Sequence, residues 1–282
     1  MSETPLIEPA ELSALTVDER LRVVDCRFVL SDPEAGRRAY GEGHLPGAVY
    51  AHLDDDLAGP VTPLSGRHPL PDPNHFAALL GAWGIRPDTV VVAYDDASGA
   101  LASRLWWMLG WVGHGPRRVL DGGIDAWCAA GLPLTTAEPV PPRAPAYPVR
   151  PDPERVAGTE AVIEALAAGV PVVDARSRER FLGRHEPIDP VAGHIPGSLN
   201  HPFSANLAED GRFLPARELA ARLGSLGVGD DGNAVSLCGS GVTACHTILA
   251  AAVAGLREPR LYPGSWSEWI RDPDRPVAAG RD

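Results

Sequence analysis

Residues 235–255, VSLCGSGVTACHTILAAAVAG, place Cys238 between a short apolar run and a glycine-broken loop that opens an alanine-rich helix. A cysteine does chemistry as its thiolate, a soft nucleophile suited to covalent intermediates. If AVSL is a strand and TACHTILAAAVAG a helix, Cys238-Gly239-Ser240-Gly241-Val242 must turn sharply over the helix N-terminus. Gly239 and Gly241 allow that turn. The amides from Gly239 through Val242 to Thr243 would then point inward, and with the helix dipole they favour an anion, whether a thiolate or a bound substrate. The ordinary fate of a free cysteine is to act as a small buried hydrophobe. The strand–Cys–Gly-x-Gly–helix setting argues instead for a nucleophile. A cysteine phosphatase uses a similar loop but needs Cys-x5-Arg to clamp phosphate, and that arginine position is Ala244.

The elements that must carry this loop are written twice. LRVVDCRFVLSDPEAGRRAYGEGHLPGAVY (21–50) and VPVVDARSRERFLGRHEPIDPVAGHIPGSLN (170–200) share Val-Val-Asp, a nearby arginine and Gly-His-(Leu/Ile)-Pro-Gly, with 19 residues from Asp25 to His44 and 20 from Asp174 to His194. Downstream, TVVVAYDDASGALASRLWWMLGWVG matches NAVSLCGSGVTACHTILAAAVAG, and RRVLDGGIDAWCAAGLPL matches PRLYPGSWSEWIRDPDRPV. The copies predict two domains, 8–134 and 155–278. They are joined by a linker over 135–154 whose seven prolines exclude a helix or a central strand. The runs LRVVDCR, TVVVAYD, VPVVDAR and NAVSLCG are uniformly apolar at strand length, the pattern of strands buried on both faces of a parallel sheet. Helical stretches alternate with them, so each half reads as an α/β domain, a mostly parallel sheet flanked by helices. Ligands of such sheets sit beyond the carboxyl ends of the strands, where Cys238 falls. The equivalent position in the first copy is Asp95, so only the second copy is expected to be active.

Composition narrows the function classes. A formal net charge of −12, from 25 Lys and Arg against 37 Asp and Glu, repels phosphate backbones and anionic membranes. Nucleic-acid and membrane partners are therefore not expected, and an anionic substrate must meet a local positive site. Four cysteines without a Cys-x-x-Cys pair fit a reducing cytoplasm better than a disulfide scaffold or a zinc site. No stretch approaches ~18 consecutive apolar residues, and MSETPLIEPAEL lacks a signal-peptide pattern, so neither membrane insertion nor export is expected. No metal and no dissociable cofactor are expected.

Taken together, the tandem copies, the paired Gly-His-(Leu/Ile)-Pro-Gly segments, Asp95 in place of cysteine and the CGSGVTA loop resemble a two-domain rhodanese-type sulfurtransferase over residues 8–278. That resemblance implies two rhodanese-like domains in tandem. It also implies a two-step reaction in which a donor's sulfane sulfur passes to Cys238 as a persulfide and then to cyanide, a thiol or an acceptor protein such as a thioredoxin. Within the family, Arg-Lys after the cysteine suits thiosulfate, whereas an uncharged loop resembles the 3-mercaptopyruvate type, with Ser240 placed for hydrogen bonding or proton transfer. Arg180 matches the arginine that precedes an aromatic residue and is assigned to substrate binding. The Glu-Pro-Arg stretch that carries a second arginine in mercaptopyruvate enzymes reads Glu186-Pro187-Ile188, leaving Arg184 or His185 to substitute and thiosulfate open as donor. His44 matches a first-domain histidine thought to join the loop serine and an acid, Asp32 or Glu34, in a relay. A rhodanese-like carrier module that delivers persulfide sulfur to a partner is the non-enzymatic alternative; the complete tandem favours an enzyme.

The remaining candidates read as structure. His194 and the strand-end Asp25 and Asp174 are expected to satisfy buried backbone groups and neighbouring arginines. Cys245 lies roughly 10 Å along the proposed helix from Cys238, too far for an unstrained disulfide. Trp106, Trp107 and Trp111, like Trp266 and Trp269, are expected to be core.

Overall fold

The computed structural model describes residues 4–15, 18–229 and 233–280. It forms two compact units, and they are not simply consecutive halves of the chain. Unit 1 holds the residues up to Gly59, Leu70–Asp152 and Glu209–Phe213, while unit 2 holds Pro60–Pro69, Pro153–Ala208 and the chain from Leu214 onward. The excursion of Pro60–Pro69 into unit 2 departs from the boundaries read from the repeats. Its cause is close packing: Arg67 N–H donates to Ser267 Oγ at 3.0 Å, and a Cβ on Gly66 would lie 2.4 Å from Gly264 O.

Unit 1 contains β1 (Leu6–Ile7), α1 (Pro9–Leu15), β2 (Leu21–Asp25), α2 (Ala35–Glu42), β3 (Val49–Tyr50), α3 (Pro73–Ala82), β4 (Val90–Tyr94), α4 (Ala102–Trp111), β5 (Arg117–Leu120) and α5 (Gly123–Ala129). Its five strands are all parallel, in the order β1-β5-β4-β2-β3. Helix α3 starts where its sequence says it should: Asp72 accepts from the Asn74 and His75 amides, and Pro73, which has no N–H to satisfy, takes the first helical position. Leu12, Val23, Val92, Tyr94, Leu120 and Trp127 build the core around that sheet. The proline-rich residues 136–152 have no helix or strand. They are strapped to unit 1 by amide bonds such as Ala144 to Gly81 O and Tyr147 to Ala77 O, both 2.9 Å.

Unit 2 repeats the plan with α6 (Thr159–Ala167), β6 (Val172–Asp174), α7 (Arg178–Phe181), β7 (Leu199–Asn200), α8 (Ala216–Gly224), β8 (Val235–Leu237), α9 (Ala244–Val253), β9 (Arg260–Leu261) and α10 (Ser265–Trp269). Four parallel strands run in the order β7-β6-β8-β9. All of β8 is buried, which is why an uninterrupted apolar run suits it; its one polar member, Ser236, donates to Ala244 O and ties the strand to the first turn of α9. Helix α9 is apolar on nearly every face because it is covered on nearly every face. The pairing of Asp174 with Leu237 brings the ends of β6 and β8 level, and the loop carrying Cys238 starts at that edge.

Candidate active site

Cys238 follows β8 directly and is 2% exposed. Its amide donates to Ser265 Oγ at 3.0 Å, its carbonyl accepts from the Trp266 amide at 3.0 Å, and the Gly239 carbonyl accepts from Ser267 at 2.9 Å. The start of α10 therefore fixes the loop from outside. Two backbone positions make this possible. Gly241 has φ +74°, and a Cβ there would meet Pro263 O at 2.6 Å; Ser265 takes φ 53°, a left-handed conformation that costs a residue with a side chain about 1–2 kcal/mol.

Inside the loop, the amides of Gly239, Ser240, Val242 and Thr243 donate to no protein acceptor among the described residues. Unit 1 shows what such a ring of donors holds. There Asp95 is fully buried, and its carboxylate accepts from the amides of Ala97, Gly99, Leu101 and Ala102 at 2.8–2.9 Å. The backbone copies itself: Ser98 at φ 56° stands opposite Gly241, Gly123 at φ +60° opposite Ser265, and Ile124 N–H donates to Asp95 O as Trp266 N–H donates to Cys238 O. The degenerate loop thus carries a built-in anion where the second copy carries sulfur.

Two residues of the Pro60–Pro69 segment complete the surroundings, and the sequence reading assigned neither. Ser240 Oγ and His68 Nδ1 form a 2.7 Å hydrogen bond, both groups being buried. Arg67 sends its guanidinium to the loop: a Cβ on Gly239 would lie 3.1 Å from Arg67 Nη2 and 3.5 Å from Nη1 and Nη2 of Arg180. Arg180, expected at the substrate site, does stand beside the loop. The second guanidinium found beside the loop is that of Arg67, while Arg184 and His185 are exposed.

Carboxylates hold these guanidinia. Arg180 Nε donates to both Glu186 oxygens at 3.0 Å and its Nη2 to Asp189 Oδ2 at 2.9 Å, while Arg67 pairs with Asp189 Oδ1. Burial opposes ionisation of Glu186, but hydrogen bonds from Arg180 and the Asp189 and Ile188 amides prevail and hold its carboxyl below the usual range. Deeper in, Arg176 pairs with Asp174 at 2.6 Å and lies 4.7 Å over the Trp266 ring. Burial works against its charge, yet Asp174, Glu186 and the Cys238 sulfur beyond them raise its pKa.

His44 is placed elsewhere than the relay expectation requires. In unit 1 its Nδ1 lies 2.8 Å from Tyr40 O, its Nε2 3.2 Å from Ala137 O, and its ring stacks on Tyr40 at 3.9 Å. His194 does the same in unit 2, bonding Phe181 O at 2.7 Å and stacking on Phe181 at 3.8 Å. Both are fold elements, and the imidazole on Ser240 is His68. The acids offered for the relay are exposed partners of arginines, Asp32 of Arg38 and Glu34 of Arg37. Cys245 is buried, and its Sγ lies 3.4 Å from Gly241 O. Among the described residues no group of three or more His, Cys, Asp or Glu is placed to hold a metal ion, and no helix is long and apolar enough to cross a membrane.

A thiol at the carboxyl edge of a parallel sheet, a loop of inward amides and a second copy with the thiol replaced define a class, and the family comparison agrees. The chain belongs to the rhodanese family: the rhodanese-like domain model matches residues 8–130 and again 159–272. It is an enzyme of the sulfurtransferase class. Over 284 residues the chain is 48% identical to the probable 3-mercaptopyruvate sulfurtransferase of Pseudomonas aeruginosa, covering 99% of this chain and all of that one. It is 42% identical over 279 residues to a putative thiosulfate sulfurtransferase of Mycobacterium tuberculosis, covering 98% and 97%. The structure of 3-mercaptopyruvate sulfurtransferase from Leishmania major superposes with a TM-score of 0.83 at 33% identity, over 94% of this chain and 73% of that one.

Proposed function

We propose that this protein transfers sulfur from 3-mercaptopyruvate to a thiophilic acceptor through a persulfide on Cys238. In the first step the Cys238 thiolate attacks the donor's sulfur, an S–S bond forms, and the C–S bond breaks with its electron pair passing into the enolate of pyruvate. The enolate takes up a proton to leave as pyruvate, and the outer sulfur remains as a persulfide anion among the loop amides. In the second step cyanide or a thiol attacks that outer sulfur and Cys238 departs as thiolate. Arg67 and Arg180 receive the donor carboxylate. Acceptor proteins of the thioredoxin kind suit the same second step, and a persulfide thiol suits the reducing cytoplasm.

The observation that carries the choice of donor is the hydrogen bond between Ser240 and His68. An enolate leaving group needs a proton on or near its oxygen, and a hydroxyl backed by an imidazole supplies one two residues from the nucleophile. Sulfite, the leaving group from thiosulfate, departs with its electron pair and needs no proton. Thiosulfate is the second reading, supported by the two guanidinia and by the name of the mycobacterial relative.

The test is kcat/KM for both donors with cyanide as acceptor, in the wild type and in His68→Gln. The expected outcome is a wild-type preference for mercaptopyruvate and a loss of about 10²–10⁴-fold with that donor alone in the variant. Preference for thiosulfate, or an equal loss with both donors, would overturn the mercaptopyruvate reading.

A further inference from the structure

The two arginines beside the Cys238 loop are not bare cations. Asp189, 8% exposed, bridges them, one oxygen paired with Arg67 and the other 2.9 Å from Arg180 Nη2, and Glu186 takes the adjoining Nε–Nη2 edge of Arg180. Arg176 behind them is matched by Asp174. Three guanidinium charges thus face three carboxylates within one cluster. The loop itself adds only neutral side chains at Gly239, Ser240 and Gly241.

From this charge balance we infer that Asp189 sets donor specificity, as the counter-charge that leaves the site rich in N–H donors but poor in net positive charge. The inference rests on the donor reading above. A single carboxylate needs a bidentate fork and little excess charge, because two parallel N–H bonds supply most of its recognition. A small dianion gains mainly from excess positive charge, and here each guanidinium already has a carboxylate. Like-charge repulsion between Asp189 and an incoming anion also doubles when that anion carries two charges, and it is strong at the few ångströms involved in a half-buried setting. Asp189 therefore penalises thiosulfate more than mercaptopyruvate. Glu186 cannot replace it in this role. Among the carboxylates of the described residues, only Asp189 bridges both arginines; Glu186 is engaged with Arg180, with Arg176 at 3.6 Å, and with the amides of Ile188 and Asp189, which it caps at 3.0 and 3.1 Å.

Asp189→Asn and Asp189→Glu test the inference, each measured beside the wild type for kcat and KM with both donors and for competitive inhibition by inorganic sulfate. Asp189→Asn should raise the ratio of thiosulfate to mercaptopyruvate kcat/KM by roughly tenfold, chiefly through a lower thiosulfate KM, and should tighten sulfate inhibition by a similar factor. Asp189→Glu, which keeps the charge, should leave the ratio within about twofold of wild type. A gain with thiosulfate separates this role from structural damage, which would depress both donors together. An unchanged ratio and unchanged sulfate inhibition in a folded Asp189→Asn would overturn the inference. If the wild type itself prefers thiosulfate, the donor reading fails in the wild-type arm, whatever the variants do.

Discussion

Arg67 and Arg180 approach the same small volume over Gly239 from different parts of the chain, and each offers a planar fork that a lysine could not replace. On the proposed reading, removing either fork weakens binding of the donor carboxylate without touching the nucleophile. Arg67→Ala and Arg180→Ala are each expected to raise the mercaptopyruvate KM by roughly tenfold with a smaller change in kcat, measured by steady-state kinetics in a folded variant. A KM unchanged in Arg67→Ala would remove that residue from the binding site. Of the two, Arg180 was singled out at the level of sequence because the family resemblance matches it to an arginine that precedes an aromatic residue, here Phe181. Arg67 and His68 were not, since they lie in the first half and have no repeat partner. A signal for them existed: from the Gly-His-x-Pro-Gly glycine to the next long helix, the chain runs 26 residues from Gly47 to Pro73 but 19 from Gly197 to Ala216. The extra length carries Arg67-His68 between prolines, the part of the first copy that packs into unit 2. His44 misled for the opposite reason. Its repetition as His194 reflects a stacking and capping job that both units need.

At the scale of elements, the loop geometry depends on the turn that opens α10 as much as on the glycines beside Cys238. Ser265 holds a left-handed backbone and at the same time accepts the Cys238 amide and donates to Tyr262 O at 2.8 Å. These two facts oppose one another in Ser265→Gly: relief of backbone strain favours the variant by about 1 kcal/mol, and loss of the hydroxyl disfavours it by a similar amount. Ser265→Ala loses the hydroxyl and keeps the strain. The expected outcome is a Tm for Ser265→Gly close to wild type and a clearly lower one for Ser265→Ala, with kcat reduced in both because the Cys238 amide has lost its acceptor. A Ser265→Ala protein as stable and active as wild type would show that the hydroxyl does not hold the loop. Strands β2, β4, β6 and β8 and helix α9 were readable because uniform apolar runs and long helical stretches have one physical meaning each. Strands β7 and β9, two residues apiece, and the five-residue α10 are too short for any pattern. They exist because parallel neighbours and the packed loop hold them.

The whole molecule is a duplication in which one copy has kept its anion pocket and given it to its own side chain. Asp95 fills the amide ring of unit 1 with four hydrogen bonds, which leaves no room there for an external sulfur anion. The other thiols lack the setting on which the proposed sulfur-carrying role of Cys238 rests. Burial, with Asp25, Asp95 and Asp56 nearby, pushes the Cys26 thiol well above the ordinary range. Cys245 is fully buried within α9, and Cys128 is exposed on α5. The net charge of −12 repels sulfur-bearing anions from the general surface, which leaves the arginine-flanked loop as the place where they can gather. The protein incubated with mercaptopyruvate and no acceptor should therefore gain one sulfane sulfur per chain, located on Cys238 by intact-mass and peptide mass spectrometry. Cyanide should remove it, and Cys238→Ser should show neither the added sulfur nor turnover. Sulfur found on Cys128, or a second equivalent retained in Cys238→Ser, would mean that the chain carries sulfur outside the loop and that Asp95 does not mark unit 1 as the silent copy.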